Sequence, residues 1–210
     1  MKSGAPRFCR RSIFLAAAGI LAVVLTACTG VGGGYLPPGA SVGTGVVFTG
    51  QASFGFTFSC EDKGGLNPPT GKLSIELAYN DHGTSLLLGA PFSIHGIVDK
   101  VDPVLESAIC IGQNPPPPPA GQLIFLGRYR LTSSAPTGFP QTCPTREKKA
   151  TPLCRFEVIV RDNDENLRPS KGDFFSIKLS NATAVTSKLD PATVFYARAG
   201  VLEGGNLTVK

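Results

Sequence analysis

The acidic turn Asp162-Asn163-Asp164-Glu165-Asn166 is the best candidate for a chemical site in the sequence. Oxygen donors at Asp162, Asp164 and Asn166 follow an every-other-residue spacing that can curl around Ca2+, and Asp173 follows eleven residues after Asp162. Against a calcium-hand loop, Leu167 occupies the place that needs glycine for the sharp turn, and the last ligand is Asp rather than a bidentate Glu. The plainer reading is a strand-end turn whose Asp and Asn side chains hydrogen-bond their own backbone. Apart from this calcium site, no cofactor is expected. His82, beside Asp81 in an Asn-Asp-His-Gly turn, resembles half of a catalytic pair, but no Gly-x-Ser-x-Gly elbow supplies a nucleophile. His95 alternates with Ile94 and so faces solvent. The acids Asp81, Asp99, Asp102, Glu106 and Asp190 are scattered among turns, and nothing distinguishes a pair suited to glycoside hydrolysis. Tyr79, Tyr129 and Tyr196 are the rings available to stack on a sugar. No phosphate loop or dinucleotide fingerprint is present. The expectation is a protein that is not an enzyme.

Cys28 carries chemistry of another kind. Lys2, Arg7, Arg10 and Arg11 precede an apolar run over 13–25, the layout of a secretory signal. That run is too short to span a bilayer, which takes roughly 20 residues. Leu25-Thr26-Ala27-Cys28, which ends it, resembles the lipobox of bacterial lipoproteins at every position. The resemblance implies removal of residues 1–27, acylation of Cys28, and a protein held on the extracytoplasmic face of a membrane. Arg10-Arg11 weakly resembles a twin-arginine export signal.

Removing that segment changes the bulk properties. The whole chain has 210 residues and a formal charge of +5, but residues 1–27 hold four of its twenty Lys and Arg and none of its fifteen acids. The remainder is therefore +1, with no electrostatic footprint for nucleic acid. Of six cysteines, Cys9 is removed and Cys28 acylated, leaving Cys60, Cys110, Cys143 and Cys154 as two disulfides of an exported chain. Cys143–Cys154 is the favoured pair, closing a small loop with Pro144 and Pro152 inside it, and Cys60–Cys110 is then the longer bridge.

Residues 28–44, rich in Gly and Pro, read as a lipidated cysteine followed by a tether. Residues 45–210 read as one all-β domain. Phe54, Phe56 and Phe58 alternate along one strand, as do Leu73, Ile75, Leu77 and Tyr79 along the next, and Leu123, Phe125, Gly127, Tyr129 and Leu131 later on. Five consecutive prolines within 114–120 read as an exposed polyproline II loop. Short strands at about ten-residue intervals, separated by Gly and Pro turns, predict an antiparallel β-sandwich or jelly-roll-like domain.

The blocks Ala52-Ser53-Phe54-Gly55-Phe56, Gly71-Lys72-Leu73, Val158-Ile159-Val160-Arg161-Asp162-Asn163, Gly172-Asp173-Phe174-Phe175-Ser176-Ile177-Lys178-Leu179-Ser180 and Gly200-Val201-Leu202-Glu203-Gly204-Gly205-Asn206-Leu207 occur in that order. Together they resemble the all-β module of bacterial secreted and surface proteins known as the post-COAP domain, over roughly 45–210. Asp164 stands where that pattern has glycine. The resemblance implies architecture and export but no catalysis. The expected partners are the membrane, through Cys28, and an envelope protein or polysaccharide.

Overall fold

The computed structural model describes residues 27–62, 71–83, 88–97, 121–143, 154–163, 172–184 and 188–209. The expected strand at 105–111, the proline run, Cys110, Asp164 and Asn166 lie outside them, as does the signal segment up to residue 26.

The described chain is all-β and antiparallel. Its strands are β1 (Ala27–Leu36), β2 (Gly39–Ala40), β3 (Val47–Phe48), β4 (Ala52–Asp62), β5 (Gly71–Asp81), β6 (Phe92–Ile97), β7 (Gln122–Leu131), β8 (Cys154–Arg161), β9 (Phe174–Ser180), β10 (Val194–Val201) and β11 (Gly204–Val209). Nine of them form one sheet in the order β10-β9-β8-β7-β6-β5-β4-β1-β11, with β2 and β3 paired apart. From β4 to β10, order in sequence is order in space: an up-and-down meander without the crossings of a Greek key.

The two terminal strands of this sheet, β10 and β11, are joined only by Leu202 and Glu203. Because every pairing is antiparallel, β10 and β11 run in the same direction. They act as one bent strand that leaves β9 and arrives at β1. The Leu202 N–H donates to the Asp173 carbonyl (2.9 Å) and the Glu203 N–H to that of Tyr35 (3.2 Å), so the bend is bonded to both edges. The sheet thus curls round until its two terminal strands meet at this bend. The β2–β3 hairpin covers β10: the Val42 N–H donates to the Ala199 carbonyl and the Ala199 N–H to Ser41 Oγ, each at 2.9 Å.

The curl brings opposite walls face to face like the layers of a sandwich. Phe54 stacks on Phe175 with centroids 3.7 Å apart, and Phe56 and Phe58 lean on Phe125 at 5.3 and 5.5 Å. The alternation that sets these rings on one face of β4 is therefore the alternation of the core.

The expected tether is corrected here, because its first half is β1, paired on both sides, with β4 and β11. Its glycines answer their neighbours: Gly30, Gly32 and Gly34 stand opposite Phe58, Phe56 and Phe54. A Cβ on Gly30 would lie 2.5 Å from Leu123 Cδ2, and one on Gly34 would lie 2.4 Å from the Gly204 carbonyl oxygen. Glycine here is the residue that lets ring and backbone approach, as it does in strands elsewhere.

Candidate functional site

A polar network lies inside the barrel between the closing strand and the end of β5. Alternation along β10 turns Tyr196 and Arg198 inward, and Asp81, the last residue of β5, meets them. Arg198 Nη1 donates to Asp81 Oδ1 at 2.9 Å, with both side chains only 2% exposed. The Tyr196 hydroxyl donates to Asp81 Oδ2 at 2.5 Å. Its proton is thereby committed, so Tyr79, 2.5 Å away, donates to the Tyr196 oxygen. The Gly83 N–H also donates to Asp81 Oδ1. Arg198 Nη2 donates to the carbonyls of Pro37 (2.9 Å) and Gly50 (2.7 Å), and the guanidinium lies 4.4 Å over the Phe48 ring. One arginine thus fastens the closing strand to the ends of β1 and β5 and to the approach to β4.

Burial pushes the phenols of Tyr79, Tyr129 and Tyr196 above their ordinary range, and the Asp81 carboxylate pushes Tyr79 and Tyr196 further the same way. All three phenols are buried, which removes them as sugar-stacking rings and corrects that expectation. The network can hold a proton in place between Tyr79, Tyr196 and Asp81, but it is packed in among core side chains.

Asp162 and Asp173 are brought together at the end of β8 and the start of β9, where three of their four carboxylate oxygens meet backbone donors. Asp173 Oδ2 accepts the Leu207 N–H at 3.0 Å, its Oδ1 accepts the Asn163 N–H at 3.2 Å, and Asp162 Oδ2 accepts the Val209 N–H at 3.2 Å. Leu207 and Val209 belong to β11, whose ladder partner among the described residues is β1 alone. The two carboxylates thus serve the N–H groups on the other side of that strand. Among the described residues no group of three or more His, Cys, Asp or Glu side chains is placed to hold a metal.

Ser53 Oγ and His82 Nε2 are 3.0 Å apart on the outer surface, a contact of nucleophile and base types that sequence spacing does not reveal. The neighbouring Asp81 is turned inward to Arg198 and does not orient the imidazole. His95, on the outer face of β6, meets Glu76 Oε2 at 2.6 Å. A surface hollow of about 340 Å3, lined mainly by apolar side chains such as Val46, Leu189 and Phe195, lies apart from both histidines.

Cys143 and Cys154, the favoured pair, have sulfurs 2.13 Å apart and form a disulfide with Cα atoms 5.2 Å apart. Cys154 is at the start of β8, so the bridge pins the segment that packs over the barrel end. Backbone register sets Cys28 directly opposite Cys60 in the β1–β4 pair. In comparisons with known proteins, the chain matches no protein-family model, no curated protein and no solved structure.

Proposed function

We propose that this chain is a lipid-anchored cell-envelope protein whose β-barrel has a structural or binding role rather than a catalytic one. The observation that carries the non-catalytic part is the use made of its reactive side chains. Asp81, Arg198, Tyr79 and Tyr196 are spent on joining the closing strand to the wall, and Asp162 and Asp173 on its backbone. An enzyme needs such groups converging on a cleft open to substrate. The anchor rests on Leu25-Thr26-Ala27-Cys28, and acylation of Cys28 leaves an even number of cysteines for disulfides. Cys28→Ala tests it: metabolic fatty-acid labelling is expected to vanish and the protein to leave the membrane fraction. Persistent labelling of that variant would sink the reading. The resemblance to the bacterial surface module fits the same role, with an envelope protein or polysaccharide as partner.

The Ser53–His82 contact favours a second reading, an extracytoplasmic hydrolase. A fluorophosphonate probe separates the two. Label on the wild-type protein that is lost in Ser53→Ala would support the hydrolase, and the structural reading expects none.

A further inference from the structure

We infer that the barrel lies directly on the membrane, with the start of β1 held at the lipid headgroup layer. This rests on the acylation of Cys28 proposed above and adds the geometry of the anchored state. Cys28 is not followed by free chain: it is itself paired with Cys60, Thr29 is paired with Ser59, and Gly30 is held on both sides, by Phe58 and by Val209. If the first two residues fray, Gly30 is still wall. The reach from the acylated residue to that fixed wall is then about 7 Å, at roughly 3.5 Å per extended residue. A free tether over 29–44 would instead reach about 55 Å by the same measure. The headgroup layer on each side of a bilayer is about 5–7 Å thick. With acyl chains in the hydrocarbon core, a reach of that size is no longer than the headgroup layer is thick, so the start of β1 is held in or against that layer.

The orientation follows. β1 runs away from the membrane, so Val31 stands close above the lipid, and the β2–β3 hairpin beyond the far end of β1 points to solvent. The lipid surface is thus a second contact of the domain, at the end of the barrel where β1 begins.

The chain contains no tryptophan, so one introduced indole reports its own position. Val31 and Val42 are matched sites, 54% and 58% exposed. The full-length acylated variants Val31→Trp and Val42→Trp are reconstituted into phosphatidylcholine vesicles carrying a nitroxide on the headgroup. Emission from Val31→Trp is expected to fall by about half or more, and that from Val42→Trp to stay within about a tenth of its value without nitroxide. Thr208→Trp, opposite Val31 in register, provides a second near reporter should Val31→Trp fold poorly. Inserting sixteen Gly and Ser residues between Cys28 and Thr29 is expected to restore emission from the near reporter. Equal quenching at the near and far sites, or none at either, on protein that carries the fatty-acid label overturns the flush orientation and leaves the anchor intact. Absence of the label on the same preparation overturns the anchor, and the orientation with it.

Discussion

Arg198 reaches Asp81 across the barrel interior, Nη1 to Oδ1 at 2.9 Å, although their strands β10 and β5 are not neighbours in the sheet. The pair therefore links the closing strand to the opposite wall, while Asp81 Oδ1 also accepts the Gly83 N–H of its own turn. Removing one member strands a buried charge, so Arg198→Met is expected to cost about 3–5 kcal/mol in urea unfolding. The double variant Asp81→Leu/Arg198→Met is expected to recover part of that loss, because both charges leave together. Additive costs in the double-mutant cycle would show that the two side chains do not act as a unit.

The three buried tyrosines predict a dependence on alkaline pH. Folding raises the pKa of Tyr79, Tyr129 and Tyr196, so the neutral phenol is the form the native state prefers. Unfolded phenols ionise near pH 10. The stabilisation is complete below about pH 10 and is lost as pH rises above it, because the unfolded chain then releases protons that the folded chain retains. Absorbance at 295 nm is expected to show these three ionising only as the chain unfolds. A folded protein that ionises more than one of its four tyrosines would contradict this.

The sequence carried the fold class and much of the core, because strand periodicity is local. Phe54, Phe56 and Phe58 declare an inward face by alternation alone, and the favoured Cys143–Cys154 bridge spans only eleven residues. What stayed illegible depends on partners far along the chain. Gly30, Gly32 and Gly34 have a tether's composition, and only the rings opposite them give their purpose. Asp162 and Asp173 have a spacing that suits a cation, yet their donors Val209 and Leu207 lie 47 and 34 residues away. Asp81 and Arg198 are 117 residues apart, a distance at which spacing carries no signal.

Two glycines that look alike in sequence are expected to respond in opposite directions to alanine. At Gly55 a Cβ finds space, its nearest neighbour being the Gly32 carbonyl oxygen at 4.0 Å. Gly55→Ala should then stabilise by about 0.4–1 kcal/mol, by reducing the freedom of the unfolded chain. At Gly34 the same atom meets the Gly204 carbonyl oxygen at 2.4 Å, and backbone cannot swing aside. Gly34→Ala should cost about 1–3 kcal/mol, the range for overpacking. Equal effects at the two sites, measured by urea unfolding, would remove the steric account of the seam.

The carboxylates of Asp173 and Asp162 receive N–H groups of β11, and that arrangement makes opposite predictions from a calcium site. Hydrogen bonds to a charged acceptor contribute about 1.5–3 kcal/mol, so Asp173→Ala should lower stability by that order. The loss should be local before it is global. Amide exchange at Leu207 and Asn163, the two donors to Asp173, should accelerate first, while that at Phe56 and Leu77 in the β4–β5 pair keeps its rate. Millimolar Ca2+ should leave the wild-type Tm unchanged, because both Asp173 oxygens and Asp162 Oδ2 already face backbone donors that a cation would have to displace. A rise of several degrees with Ca2+, abolished by Asp173→Asn, would show instead that the acids gather around a metal and that the β11 contacts are secondary.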